Sequence, residues 1–314
     1  MRIGAVILLL CLVAPVLSAD KGGGGHDSNE ILLKLAPGVL IETINARYNT
    51  ETDDVILGGT VYKVEVQDDS TLDATVAAME KDKDILQVEF NYFGETPEAV
   101  RRTIAVIDGT PSSTKYHDQD AFIRMKGPEA QTVSTGQNVV VAVIDTGVDY
   151  NHPDLTNHVV RDNQNQVVGY NFIDNNSDPM DSRNGIDDNG NGLIDEGAGH
   201  GTHIAGIIAL VAPDAKILPL RVLNSDGVGT ADLVAQAIDF AVNYAHHNHD
   251  VSMVINLSLV LTAESFALDE SIQEALGDGI PVIASAGNDN SSAQHFPAAF
   301  NIPPYEVVAV AATD

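Results

Sequence analysis

The stretch from Gly199 to Leu210, GHGTHIAGIIAL, decides how this chain is read. Its small residues Gly201, Ala205, Gly206 and Ala209 let a helix lie close against a sheet, and Ile204, Ile207 and Ile208 leave it no polar face, so the helix is expected to be buried. His200 then stands at the helix start. There the positive end of the dipole disfavours a protonated imidazole, and the position offers a neutral ring able to accept a proton. That suits a general base. By itself such a histidine is more commonly a packed or capping residue, so its partners decide.

Working outward, the unbroken apolar run Val139 to Ile144 reads as a strand of a parallel sheet and ends on Asp145-Thr146-Gly147. Sites in open α/β sheets gather at such carboxyl ends. An aspartate there is by default a turn or cap residue. Set against His200, it would accept the second ring N–H and fix the tautomer. Ser285-Ala286-Gly287-Asn288 follows another strand end. Asn288 offers an amide N–H to a developing oxyanion, its plainer reading being a turn residue after glycine.

The chain has 314 residues, enough for one large domain and a smaller one. Met1 to Ala19 reads as a secretory signal peptide, with Arg2, an apolar run from Ile3 to Leu17 and a cut after Ala19. The run is too short to span a bilayer, so no integral membrane protein is expected after cleavage. The single cysteine, Cys11, lies inside it, which excludes cysteine catalysis and disulfides from the mature chain. With 16 Lys and Arg against 45 Asp and Glu, a net charge of -29 argues against nucleic acid and anionic membranes as partners.

In order along the chain, residues 20–28 include the glycine-rich link KGGGGHDS, and order is expected from Asn29. Residues 29–93 follow a βαββαβ pattern: strand Ile31 to Leu35, helix Pro37 to Tyr48, strands near Val55 and at Thr60 to Val66, helix Thr71 to Lys81, and strand Ile85 to Asn91. This predicts a small ferredoxin-like α+β domain. Residues 94–120, with their prolines and Arg101-Arg102, read as an exposed connector and a candidate cutting point. From Ala121 to Asp314 the expectation is a doubly wound, mainly parallel α/β domain, opened by a helix over Ala121 to Val133. Strands are predicted at Ile217 to Val222, Val254 to Leu257, Val282 to Ala284 and Val307 to Ala311, with helices at Thr230 to Ala245 and Glu264 to Leu276 between them.

Three blocks, VVVAVIDTGVDYNHPDL (139–155), GHGTHIAG (199–206) and ASAGN (284–288), resemble the subtilisin-like serine proteases, the subtilases. The resemblance covers about Tyr116 to Asp314. It implies Asp145 as the triad aspartate, His200 as the base, Asn288 as the oxyanion donor, and Ala286 and Gly287 beside it, in a chemistry for which subtilisin is itself the standard example. It implies polypeptide substrates and no organic cofactor. The βαββαβ unit is similar to the inhibitory propeptides of the family, so the chain's own propeptide is an expected partner. LNSDGVGTAD and INLSLV correspond to the two edges that hold a substrate backbone by strand addition, which places Gly227, Val228 and Gly229 on one side of the peptide and Ser258, Leu259 and Val260 on the other. Val260 departs from the family's usual glycine and is expected to narrow the specificity pocket.

An insertion, DSRNGIDDNGNGLIDEG (181–197), precedes His200. Asp187, Asn189, Asn191, Leu193 and Asp195 fall at positions 1, 3, 5, 7 and 9 of a calcium loop, with Gly192 for the turn. Ala198 stands where the closing glutamate is expected, and Glu196 is its substitute. Calcium is therefore an expected cofactor, the alternative being a solvated polar turn. The calcium loop that many relatives insert after the histidine helix is absent, since Ile208-Ala209-Leu210 runs almost directly into Ala212-Pro213-Asp214.

In the family the nucleophile lies in a Gly-Thr-Ser block after the oxyanion asparagine, and none occurs before Asp314. The chain is thus expected to be a secreted serine endopeptidase precursor whose catalytic domain is incomplete at its C-terminus, and inactive as it stands. The alternative is a non-catalytic protein of subtilase fold that binds peptides or a partner.

Overall fold

The computed structural model describes residues 25–96, 119–261, 263–288, 294–302 and 305–311. The signal-peptide reading of 1–19 and the Arg101-Arg102 cutting point lie outside the described residues.

The first unit comprises strand β1 (His26–Leu35), helix α1 (Ile41–Tyr48), strands β2 (Thr50–Ile56) and β3 (Val61–Val66), helix α2 (Leu72–Met79) and strand β4 (Ile85–Glu95). The strands pair antiparallel in the order β4-β1-β3-β2. Period-two alternation splits β1 between two cores. Ile31 and Leu33 pack with Ile44 of α1 and Val76 and Met79 of α2, whereas Leu32 faces the opposite way with Ile56 and Val61. This second face is closed by Phe266 and Ala267 of the following domain.

Two short helices come next, α3 (Asp120–Arg124) and α4 (Gly127–Gln131). They replace the single helix expected over 121–133. Lys126 takes a left-handed φ of 60°, the Phe122 ring occupies the space a Cβ on Gly127 would need, and Pro128 starts a helix more readily than it continues one.

The large domain holds β5 (Val139–Asp145), β6 (Tyr170–Asn171), α5 (His200–Val211), β7 (Lys216–Arg221), β8 (Val228–Thr230), α6 (Ala231–His247), β9 (Ser252–Leu257), β10 (Val260–Leu261), α7 (Phe266–Gly277), β11 (Val282–Ser285), β12 (Asn301–Ile302), β13 (Tyr305–Glu306) and β14 (Val308–Val310). One parallel sheet runs β14-β11-β9-β5-β7-β6. Its centre is β5, whose apolar run is unbroken because helices cover both faces. Val141 and Val143 meet Ile204, Ala205 and Ile208 of α5, and Ala142 and Ile144 meet the core of Val234 and Ile238 from α6 and Leu268 and Ile272 from α7. This is the doubly wound α/β architecture expected from the sequence.

Two boundaries differ from the sequence reading. Strand β1 begins at His26, ahead of the strand expected from Ile31 and of the order expected from Asn29, because His26 pairs with Tyr92 and stacks on Phe90 with ring centroids 4.2 Å apart. Strand β4 runs on through Gly94 and Glu95 into what reads as connector, because it gains partners on both edges there, β8 and β10.

Candidate active site

Strand β5 delivers Asp145, fully buried, to the carboxyl edge of the sheet. Its Oδ1 accepts the Thr146 N–H at 2.7 Å, and its two oxygens stand 2.8 and 3.0 Å from Nδ1 of His200, the first residue of α5. Donation from Nδ1 to the carboxylate leaves Nε2 carrying the lone pair that takes up a proton. The close approach depends on Gly201. A Cβ there would lie 2.1 Å from the carbonyl oxygen of Gly147 and 3.1 Å from the Asp145 side chain, so only glycine lets the first turn of α5 descend onto the aspartate. The Gly201 N–H then donates to Thr146 Oγ1 at 3.0 Å.

The N-cap of α5 is Gly199, with a left-handed φ of 97° and no side chain to meet the open N–H groups of the first turn. Asp181 meets them from far upstream. Its carboxylate accepts the Gly199 N–H at 2.9 Å, the Thr202 N–H at 3.1 Å and the Thr202 hydroxyl at 2.6 Å. Burial raises its pKa, these bonds oppose the rise, and the charge of Asp145 adds to it. The sequence reading takes Asp181 only as the start of a polar insertion. The signal that points to it is the glycine cap, which obliges some other side chain to serve the helix.

Strands β5, β9 and β11 are parallel and in register, with Ile144 beside Leu257 and Leu257 beside Ala284. Asp145, Ser258 and the turn Ala286-Gly287-Asn288 therefore share one edge of the sheet. The turn is held by the Ala286 N–H on the Val310 carbonyl at 2.9 Å and the Gly287 N–H on Ser285 Oγ at 3.2 Å.

Beside this edge the end of β4 lies as a middle strand. Phe93, Gly94 and Glu95 pair antiparallel with Thr230, Gly229 and Val228 on one side, and Gly94 and Glu95 pair with Leu261 and Val260 on the other. The Thr96 N–H donates to the Gly227 carbonyl at 3.0 Å. Ser258 and Leu259, both buried, lead into β10. Burial raises the Glu95 pKa while the His295 ring pulls it down.

Two further side chains of β4, Glu89 and Asn91, project from one face and meet the N-termini of α7 and α6. The Glu89 carboxylate accepts the Ser265 hydroxyl and the Phe266 N–H, each at 2.7 Å. Asn91 accepts the Asp232 N–H at 3.3 Å through Oδ1 and donates through Nδ2 to Asp232 Oδ1 at 2.8 Å and Glu30 Oε2 at 2.6 Å. Lys63 reaches Asp53 at 2.8 Å, Asp232 at 3.3 Å and Glu30 at 3.5 Å, and Lys34 pairs with Glu270 at 2.7 Å.

The insertion before His200 folds around Asp226, a buried residue that the sequence reading did not single out. Its carboxylate accepts the N–H groups of Asp188, Asn189 and Asp195 at 2.5, 3.2 and 2.7 Å. Within the loop, Asp187 accepts the N–H groups of Asn191 and Gly192, and Glu196 Oε1 accepts from the side chains of Asn189 and Asn191. Glu196 Oε2 is buried without a hydrogen-bond partner. The Asp195 carboxylate accepts the N–H groups of Asn184 and Gly185 at 2.9 and 3.1 Å. Among the described residues, three acidic groups with ligand oxygens within 4.8 Å of one another occur at Glu30, Asp53 and Glu65 instead, where Lys63 already pairs with two of them.

The fold is a doubly wound α/β sheet that carries a buried aspartate-histidine pair at its carboxyl edge. The chain belongs to the subtilase family, whose profile matches residues 136–314. It is 35% identical over 213 residues to thermitase of Thermoactinomyces vulgaris, covering 65% of this chain and 63% of that protein. It is 38% identical over 191 residues to the thermophilic serine proteinase of Bacillus sp. (strain AK1), covering 58% of this chain and 39% of that protein. The chain thus spans less than two thirds of these relatives. In fold it is similar to fervidolysin from Fervidobacterium pennivorans, a keratinolytic enzyme related to subtilisin, with a TM-score of 0.61 and 24% identity over 90% of this chain and 43% of that one.

Proposed function

We propose that the protein is a secreted serine-type endopeptidase made as a precursor. In this reading His200 Nε2 takes the proton of a serine hydroxyl as its oxygen bonds to a peptide carbonyl carbon, and later gives that proton to the leaving amine. Asp145 holds the ring and stabilises its charge, and Asn288 donates to the oxyanion, a chemistry for which subtilisin is the standard example. The observation that carries the reading is the 2.8 Å approach of His200 Nδ1 to Asp145 at the carboxyl edge of the sheet. The cleft beside it already holds an extended segment by its backbone. Residues 1–19 act as the export signal and 29–93 as an inhibitory prosegment, supported by the insertion of β4 between β8 and β10 and by the caps from Glu89 and Asn91. Residues 94–120 link it to the catalytic domain, and processing falls within them.

Calcium belongs to the same proposal, held by Asp187, Asn189, Asn191, the Leu193 carbonyl and Glu196, with Asp195 shaping the loop. The oxygen-rich donor set and the orphaned Glu196 Oε2 fit a hard cation. When bound, the ion offsets the loop's carboxylate charge and ties it against the Ser225 to Gly227 turn, on which Gly197 already packs.

None of the serines in the 314 residues stands in a Gly-Thr-Ser setting, so the nucleophile is assigned to a continuation of the chain. The 314-residue chain is expected to take up no fluorophosphonate probe. The same chain continued by a Gly-Thr-Ser segment is expected to label, and to lose the label on His200→Ala. Labelling of the 314-residue chain that depends on His200 would overturn the assignment of the nucleophile. Absence of labelling from both would overturn the endopeptidase reading.

A further inference from the structure

The end of β4 is held in the cleft by both edges, and its register names the residue that meets each edge. Gly94 lies between Gly229 of β8 and Leu261 of β10. Cross-strand partners in an antiparallel pair project to the same face, so a side chain at position 94 would point where that of Leu261 points. That space is filled. A Cβ on Gly94 would stand 3.2 Å from Cδ1 and 3.4 Å from Cγ of Leu261, and 3.7 Å from the Val260 carbonyl oxygen.

Leu261 has no room to withdraw. Its side chain is fully buried in the main core, and its backbone is pinned by paired bonds to Phe296, at 2.7 Å from its own N–H and 3.1 Å to its carbonyl. The backbone at 94 does not itself demand glycine, since Gly94 is not among the positive-φ residues. Space is what disfavours a side chain there, since even a Cβ obliges Leu261 to give by a few tenths of an ångström. One residue on either side the restriction is lifted, because Phe93 is exposed and Glu95 half-buried on the opposite face of the strand.

We propose that the cleft selects extended peptides carrying glycine at the position beside Leu261, and that Leu261 is the specificity-determining residue that closes this subsite to side chains. The inference rests on the reading of the cleft between β8 and β10 as the substrate site. Peptides with a branched or aromatic residue at this position are excluded by overpacking against a core that is already dense.

The chain's own segment is the probe. Amide hydrogen exchange is followed at residues 94–96, 229–230 and 260 in the full chain, in Gly94→Leu, in Glu95→Leu, and in Gly94→Leu combined with Leu261→Ala. Protection of all three stretches is expected in the parent, a loss of at least tenfold in Gly94→Leu, little change in Glu95→Leu, and recovery in the double variant, where the new leucine fills the vacated space. Strands β5 and β9 serve as the internal reference for an intact fold. A parent chain without protection at the cleft would overturn the cleft reading and this inference with it. Protection that survives Gly94→Leu, an equal loss in Glu95→Leu, or no recovery in a double variant whose β5 and β9 stay protected would overturn the inference alone.

Discussion

Glu89 and Ser265 meet across the seam between the two units, the carboxylate accepting the hydroxyl at 2.7 Å while also taking the first N–H of helix α7. Burial raises the Glu89 pKa to about 7, against the opposing pull of these donors. A first unit free in water keeps the ordinary carboxyl value near 4.5. Docking therefore takes up a proton. The resulting stabilisation is fully present below about 4.5 and is lost as pH rises through about 7, with a slope of up to tenfold per pH unit from this one group. Burial pushes Glu30 and Glu95 in the same direction. Exchange protection of β4 is expected to be higher at pH 5.5, inside the window between about 4.5 and about 7, than at pH 8, above it. Glu89→Gln, which cannot ionise, should flatten that difference. An unchanged pH profile in this variant would remove Glu89 from the account.

Gly201 decides whether His200 reaches Asp145. In Gly201→Ala the added methyl meets the Gly147 carbonyl at a distance no Cβ tolerates, so the first turn of α5 must lift. The expected cost is about 1–3 kcal/mol of stability. The far-downfield proton signal of the Nδ1–H to Asp145 bond should vanish with it. A variant that keeps that signal at parental stability would show that the turn has more freedom than its packing implies.

Asp181 is expected to matter more than its place at the start of a polar insertion suggests. Asp181→Ala leaves the Gly199 and Thr202 donors without their acceptor at a helix start whose N-cap residue, Gly199, has no side chain of its own. A loss of about 1–2 kcal/mol in urea unfolding is expected, in the range for a removed N-cap. Asp181→Asn, which retains one acceptor oxygen, should recover part of it.

The insertion should make stability depend on calcium. An ion that binds only the folded loop adds about 2.7 kcal/mol at a hundredfold excess over its Kd. The Tm is expected to rise with calcium over chelator, and the difference to disappear in Asp187→Ala combined with Glu196→Ala. Asp195→Ala alone should lower Tm in chelator as well, since its carboxylate holds the Asn184 and Gly185 N–H groups whether or not an ion is present. A calcium response untouched by the Asp187 and Glu196 changes would place the ion elsewhere.

Much of this protein is legible in local sequence, because the physics involved is local. An unbroken run such as Val139 to Ile144 is stable only as a strand covered on both faces, and the spacing of small and branched residues from Gly201 to Ala209 suits only a buried helix. The order of these elements, with Asp145 and His200 at their ends, sufficed to predict a doubly wound sheet and to mark the pair that the fold brings to 2.8 Å. Tertiary structure alone decided the rest, because it depends on groups distant in sequence that share one desolvated space. Asp181 caps a helix from 18 positions upstream, Glu89 serves one that begins 177 positions later, and Asp226 organises a loop 31 to 38 positions before it. Each meets backbone N–H groups left open at a helix start or in a tight loop, and the acceptor they need is brought near only by the folded chain. The same holds for Gly94, an ordinary residue in the sequence, whose missing side chain acquires meaning from Leu261 packed against it.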